Sequence, residues 1–121
     1  MANDISRVNI IENVGRKLQV QFGDNPIPVN EIVKEARKIS NCRYAKSSIM
    51  PSDFCYNSVN KDPASASMNN PMFRRDARGK YMFLGKNYPY SGEVSWTPKG
   101  KETRIIGEWV NGNYLPHDTL T

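Results

Sequence analysis

The chain has 121 residues and a mass of 13.8 kDa, with 38% hydrophobic and 24% charged residues and a formal net charge of +5 at pH 7. This size suits one domain with one modest core. Two cysteines are too few for a disulfide scaffold, no secretory leader pattern opens the chain, and no apolar run approaches the length of a membrane-spanning helix. We therefore expect a cytoplasmic protein with reduced thiols and no membrane association.

Two helices are predicted near the start of the chain. Apolar residues recur near the 3.6-residue period over residues 4–22, although Gly15 inside this run costs up to about 1 kcal/mol relative to Ala. The sequence Gly-Asp-Asn-Pro at residues 23–26 is a clear stop signal. A second apolar stripe predicts a helix over residues 29–40, and Ile27 just before it can form a very short strand.

A third helix is predicted at about residues 51–60. Pro51 would break a helix in its interior but suits a first turn, so residues 47–50 become the entry to this helix. The apolar positions of the predicted helix are Phe54, Cys55 and Val59.

A β-hairpin is predicted after a loop at residues 62–71. Two extended runs, residues 72–75 and 80–84, flank a glycine-containing turn at residues 76–79. Both faces of the second run are apolar, so we expect this strand to be covered on both sides.

A second hairpin pattern follows in the tail. Residues 94–96 alternate, Pro-Lys-Gly at residues 98–100 makes a turn, and residues 104–110 return. Gly107 in the returning strand indicates a bulge or a close backbone approach, and Asn111-Gly112 is a further turn signal. Strict alternation places Ile105 and Trp109 on one face and Ile106 and Val110 on the other.

The order helix, helix, helix, hairpin resembles the winged helix-turn-helix arrangement. The segment PIPVNEIVKEARKIS…SSIMPSDFCYNSVN…PMFRRDARGKYMFLG is similar to winged-helix domains, including those attached to bacterial restriction endonucleases. The resemblance implies an α+β fold with a winged-helix domain at residues 1–86 and a β-rich C-terminal extension at residues 87–121. It also implies binding of double-stranded DNA, with the third helix in the major groove and the wing on the phosphate backbone.

The distribution of charge supports a basic binding surface. Residues 42–86 hold 8 basic and 3 acidic residues, whereas residues 1–41 and 87–121 have net charges of +1 and −1. Phosphate neutralisation by several of these cations would make binding strongly salt-dependent. The candidate nucleic-acid contacts in this block are Lys46, Ser47, Ser52, Tyr56, Asn57, Asn60, Lys61, Arg74, Arg75, Arg78 and Lys80.

Two of these candidates have sharper roles. Asn57 is a candidate base reader, because an Asn amide can make two hydrogen bonds to adenine, and the alternative is a turn or cap role. Arg78 beside Gly79 is the candidate for the tip of the wing. The aromatic residues of the tail offer a second possibility: they form a small core, or they stack a flipped base in a pocket lined by Tyr90, Trp96 and Trp109.

Catalysis has little support in the sequence. His117 stands alone near the C-terminus, and two cysteines with one histidine cannot form the common structural zinc set, so we expect no metal, no cofactor and no enzymatic activity. Glu93, Glu102 and Glu108 are available to a carboxylate nuclease, but no spacing brings them together. Cys55, on an apolar helix face, is interpreted as a buried inert thiol.

The expected partner is DNA, and the biological role would be transcription regulation or DNA reading. Two alternatives remain at this point. One is RNA binding, and the other is a protein-interaction module, such as a small phage-type inhibitor of a nucleic-acid-processing enzyme. The sequence leaves open whether the chain is a monomer or a homodimer.

Overall fold

The computed structural model describes residues 7–40, 50–59 and 70–117. Within these ranges the chain forms two α-helices, one short 3-10 helix and seven strands. The strands form two sheets, one with the order β1-β4-β3 and one with the order β2-β5-β6-β7. The bounds in chain order are α1 (Arg7–Phe22), β1 (Ile27–Pro28), α2 (Val29–Ile39), the 3-10 helix (Pro51–Phe54), β2 (Ser58–Val59), β3 (Phe73–Ala77), β4 (Lys80–Phe83), β5 (Gly92–Trp96), β6 (Arg104–Val110) and β7 (Asn113–Pro116).

The first two predicted helices and the short strand before the second are confirmed. Helix α1 ends at Phe22, and Gly23 follows with a φ of 61°, a left-handed conformation that glycine adopts without steric cost. Helix α2 begins at Val29, whose N–H donates to the carbonyl of Gly79 at 2.8 Å. The start of α2 is therefore fastened to the turn of the first hairpin.

The predicted third helix is wrong, and the predicted three-helix winged helix-turn-helix arrangement is therefore also wrong. Of residues 51–59, only Pro51–Phe54 is helical, as a 3-10 turn, and the chain then passes through Cys55 and a bend at residues 56–57 into β2. The physical reason is that this segment serves two cores. Cys55 packs into one core and Val59 into the other, whereas a helix would place residues four apart on the same face.

Both predicted hairpins are present. In the first, β3 pairs antiparallel with β4, and a bulge lies between Arg75 and Ala77. In the second, β5 pairs with β6, and the residues of the predicted C-terminal extension form β5, β6 and β7. The strand β2, which lies before residue 87, joins this second sheet by pairing parallel to β5.

Strict alternation along β6 fails because of a bulge. Val94 faces Gly107 and Ser95 faces Ile105, so Ile106 is the extra residue. As a result Ile106 and Trp109 are both buried, while Ile105 and Val110 are each 41% exposed. The predicted bulge near Gly107 is thus confirmed, but the predicted division of the apolar residues between the two faces is wrong.

The described residues form two hydrophobic cores, whereas the chain length had indicated one. The first packs one face of α1 and α2 against the three-stranded sheet, with Ile11, Ile32 and Phe73 fully buried. The second surrounds Tyr56 on the inner face of the four-stranded sheet and includes Val94 and Trp109. A connecting segment, residues 54–59, passes from the first core to the second, and it therefore holds the two sheets together.

Candidate anion-binding cleft and aromatic cavity

The connecting segment is attached to both sheets by hydrogen bonds. On one side it runs alongside β3, where Met72 N–H donates to the Phe54 carbonyl at 2.9 Å and Tyr56 N–H donates to the Phe73 carbonyl at 2.8 Å. On the other side Ser95 N–H donates to the carbonyl of Asn57 at 3.0 Å. These bonds fix the distance and angle between the first hairpin and strand β5.

Asn57 completes this connection with its side chain. Its Nδ2 donates to the Arg75 carbonyl at 2.8 Å, and its Oδ1 accepts from Arg75 N–H at 2.9 Å. Both amide groups are thus engaged within the protein, in the geometry of one more rung of a β-ladder. We therefore assign Asn57 a structural role and do not retain it as a base reader.

Tyr56 is also part of the framework. Its side chain is 2% exposed and stacks on Tyr90 with ring centroids 5.1 Å apart. Its hydroxyl donates to the Gly85 carbonyl at 2.7 Å and accepts from Tyr88 N–H at 3.0 Å. Burial is the main cause that raises the pKa of Tyr56. Because its hydroxyl is already engaged within the protein, Tyr56 has no free donor for a phosphate and is not retained as a phosphate contact.

A cleft of about 450 Å³ lies between the first hairpin and the strands β2 and β5 of the second sheet. Arg75, Arg78 and Tyr81 line it from the hairpin. The rest of the lining consists of four serine and threonine residues and four residues without polar side chains, namely Ser52, Ser58, Ser95, Thr97, Val29, Met50, Val59 and Gly79. Of the described residues that line the cleft, two are cationic and none is acidic.

The chemistry of the cleft suits an anion. Arginine presents several N–H donors in a planar fork that matches phosphate oxygens, and serine and threonine hydroxyls also donate to phosphate. Both arginines are exposed, and within the described ranges neither makes an ion pair. Burial raises the pKa of Tyr81, and the positive charge of Arg75 opposes this rise.

The remaining predicted contacts are distributed differently. Arg74 lies on the other face of β3 and forms an ion pair with Asp76, with Nε and Oδ1 2.6 Å apart, which raises the pKa of Arg74. Lys80 is exposed, and alternation along β4 places it on the face opposite Tyr81. Lys46, Ser47, Asn60 and Lys61 lie outside the described residues.

A second cavity, of about 300 Å³, opens beside the aromatic cluster. Tyr56, Tyr88 and Trp109 contribute its aromatic surface. Asn70, Lys86 and Asn87 add polar groups. The sequence pattern predicted a pocket lined by Tyr90, Trp96 and Trp109, and of these only Trp109 lines the cavity. Tyr90 and Trp96 instead pack against the second core.

Cys55 and His117, two side chains singled out for their reactivity, lie in different surroundings. Cys55 is buried, its Sγ lies 3.3 Å from the Pro51 carbonyl, and burial raises the pKa of its thiol to about 12. His117 is exposed at the end of the described chain. No cluster of three or more histidine, cysteine or carboxylate side chains able to hold a metal occurs among the described residues.

One arrangement was missed by the sequence analysis. Glu93 and Glu108 are direct cross-strand partners on β5 and β6, although their spacing along the chain gives no sign of it. Two like charges in this position destabilise a sheet slightly. Their pairing depends on the register between β5 and β6, which the bulge at Ile106 shifts, and the sequence pattern does not reveal this register.

The chain belongs to the DUF7225 family, a domain of unknown function, which it matches over residues 9–115. It is also similar to YnaC, an uncharacterized protein of Bacillus subtilis (strain 168), with 38% identity over 89 residues. This match covers 69% of the chain and 33% of YnaC, so the chain spans about a third of the length of that relative. No solved structure matches the chain. Neither α-helix in the described ranges has the length and hydropathy needed to cross a membrane.

Proposed function

We propose that this domain binds single-stranded nucleic acid, with the cleft between the first hairpin and β5 holding phosphate groups. The observation that carries the proposal is the convergence of Arg75 and Arg78 on a cleft whose other polar lining consists of hydroxyls. Among the described residues, the segment expected to enter a major groove is a 3-10 turn followed by strand β2, so duplex reading by a third helix has no support there. A cleft of about 450 Å³ suits one or two nucleotides of a single strand.

The structure lowers the number of phosphates that we expect to be neutralised. Arg74 is paired with Asp76, and Lys80 lies on the opposite face of the hairpin, so two arginines serve the cleft. Two phosphate contacts on a single strand correspond to a slope of about −1.4 for log affinity against log salt. Contacts from residues outside the described ranges would make the slope steeper.

The test is fluorescence anisotropy with a labelled 12-nucleotide single strand of DNA, the same strand of RNA, and the DNA duplex, at several salt concentrations. The double variant R75Q/R78Q should bind the single strands about tenfold or more weakly, because it loses two charge-assisted contacts. The backbone hydrogen bonds between Arg75 and Asn57 remain in this variant.

A matched control removes the same charge elsewhere. Lys34 and Lys38 are exposed on α2, so K34Q/K38Q changes the net charge equally and leaves the cleft intact. Equal losses in both variants would reduce the interaction to general attraction by net charge. Tighter binding of the duplex would contradict the single-strand assignment, and absence of binding to every probe at 50 mM salt would overturn the proposal.

A further inference from the structure

The aromatic cavity beside Tyr56 has the features of a site for a planar heterocycle. Tyr88 is 42% exposed, so one large aromatic surface is available to a ligand rather than buried in the core. Tyr56 and Trp109, in contact with each other at 5.2 Å between ring centroids, form the inner wall. The cavity volume of about 300 Å³ is at the lower end of the range for small-molecule sites.

The cavity is held open by a network that fixes its aromatic walls. Trp109 Nε1–H donates to the main-chain carbonyl of Tyr56 at 2.9 Å. The Tyr56 hydroxyl donates to the Gly85 carbonyl and accepts from Tyr88 N–H. Gly112 N–H donates to the Tyr90 carbonyl at 2.9 Å. A cavity whose walls are fixed in advance binds a ligand with a smaller loss of conformational entropy.

Three of the backbone positions around the cavity adopt left-handed conformations. Asn70 and Asn87 have φ values of 46° and 56°, and Gly112 has a φ of 85°. A Cβ at Gly112 would lie 3.2 Å from the Tyr88 carbonyl oxygen, so the loops approach closely here. The two asparagines place amide donors and acceptors at a site that also offers ring faces. This pairing of groups is the one that proteins use to read the edges and faces of bases.

One cationic side chain lines this cavity as well. Lys86 contributes to the lining and also contacts Glu12, with Nζ and Oε1 3.4 Å apart. A phosphate attached to a ligand in the cavity would therefore meet the ammonium group of Lys86.

We infer that this cavity binds an unpaired nucleobase, with Tyr88 as the stacking surface. The inference rests on the proposed function, because the base would belong to the strand whose phosphates occupy the Arg75–Arg78 cleft. The connecting segment joins the two sites, since Tyr56 lines the cavity and Ser58 lines the cleft.

The experiment uses the full chain in two assays. In the first, the variant W96F leaves Trp109 as the single tryptophan, and its fluorescence is followed while adenosine 5′-monophosphate or ribose 5-phosphate is added. We expect the nucleotide to quench Trp109 and the sugar phosphate to have no effect. The variant W96F/Y88A should bind the nucleotide on the order of 5- to 150-fold more weakly, as expected for the loss of one stacked base, whereas W96F/Y88F should keep binding.

The second assay compares a 12-nucleotide strand with an abasic strand of equal length. We expect the abasic strand to bind more weakly to the wild-type protein, and the Y88A variant to bind both strands equally. Equal binding of the two strands by the wild-type protein, together with no quenching by the nucleotide, would overturn the inference. Failure of the cleft has a different signature: R75Q/R78Q would bind both strands as the wild-type protein does, while the nucleotide still quenched Trp109.

Discussion

The side chain of Asn57 pairs with the main chain of Arg75 through two hydrogen bonds, one donated and one accepted. The carbonyl of Asn57 accepts in turn from both the N–H and the hydroxyl of Ser95, at 3.0 and 3.3 Å. One residue thus joins β3 of the first sheet to β5 of the second. Because Arg75 and Ser95 both line the cleft, the shape of the cleft depends on Asn57.

The variant N57A tests this role. It leaves the Arg75 N–H and carbonyl without their partner, and at about 0.5–1.5 kcal/mol for each net hydrogen bond we expect a loss of about 1–3 kcal/mol in the free energy of unfolding. Urea denaturation followed by circular dichroism measures it. The control is N113A, an exposed asparagine on β7, which should change stability by less than about 0.5 kcal/mol. If N57A abolished nucleic-acid binding at unchanged stability, Asn57 would be a contact residue after all.

The helices and both hairpins could be predicted because their sequence signals are local. The period of the apolar residues and the stop after Phe22 define α1, and turn residues flanked by extended runs define both hairpins. The predicted third helix failed because its apolar residues serve two cores, a division that depends on tertiary packing and leaves no periodic trace. Pro51 was correctly placed in a first turn, but that turn is followed by an extended chain.

The candidate site was predicted in part for the same reason. A basic hairpin is visible in the sequence, and Ser52, Arg75 and Arg78 do meet at one cleft. Alternation along β3 separates Arg74 from Arg75, which a count of charges cannot show. The contributions of Ser58, Ser95 and Thr97 were missed, because these residues reach the cleft only through the parallel pairing of β2 with β5.

Gly15 offers a prediction about packing. Its sequence position in the middle of α1 indicates a weak helix, but an added Cβ would overlap the ring of Phe83. The gain in helix propensity from G15A is up to about 1 kcal/mol, and overpacking of a core costs about 1–3 kcal/mol, so we expect G15A to destabilise the protein. Thermal unfolding measures the effect. In an F83L background, where the ring is absent, G15A should instead be neutral or stabilising, and the same loss in both backgrounds would contradict the explanation.

The thiol of Cys55 should be unreactive in the folded protein. Burial raises its pKa from the ordinary value of 9.0 to about 12, so it remains protonated and inaccessible at pH 8. In a C42S variant, where Cys55 is the only cysteine, we expect reaction with a thiol reagent at pH 8 only after denaturant is added. Rapid labelling without denaturant would show that this part of the core opens easily.

The same pKa shift sets a direction for stability. The thiol of Cys55 ionises at a lower pH in the unfolded state than in the folded state. The contribution of the protonated thiol to the free energy of unfolding is therefore fully present below pH 9 and is lost as the pH rises towards 12. Urea denaturation at pH 8 and pH 10 measures it. Between these two pH values the free energy of unfolding should fall less for C55A than for the wild-type protein. Equal losses in the two proteins would contradict this direction.

The ion pair between Arg74 and Asp76 gives the last prediction. Asp76 occupies the guanidinium of Arg74 and places a negative charge on the same strand as Arg75. The variant D76N frees Arg74, so we expect tighter binding of a single strand at 50 mM salt and a slope of log affinity against log salt that is steeper by about 0.7, one additional phosphate. The control D24N removes an exposed acid from the turn after α1 and should leave the slope unchanged. If D76N and D24N raised the affinity equally, the gain would come from net charge alone, and Arg74 would have no special part in binding.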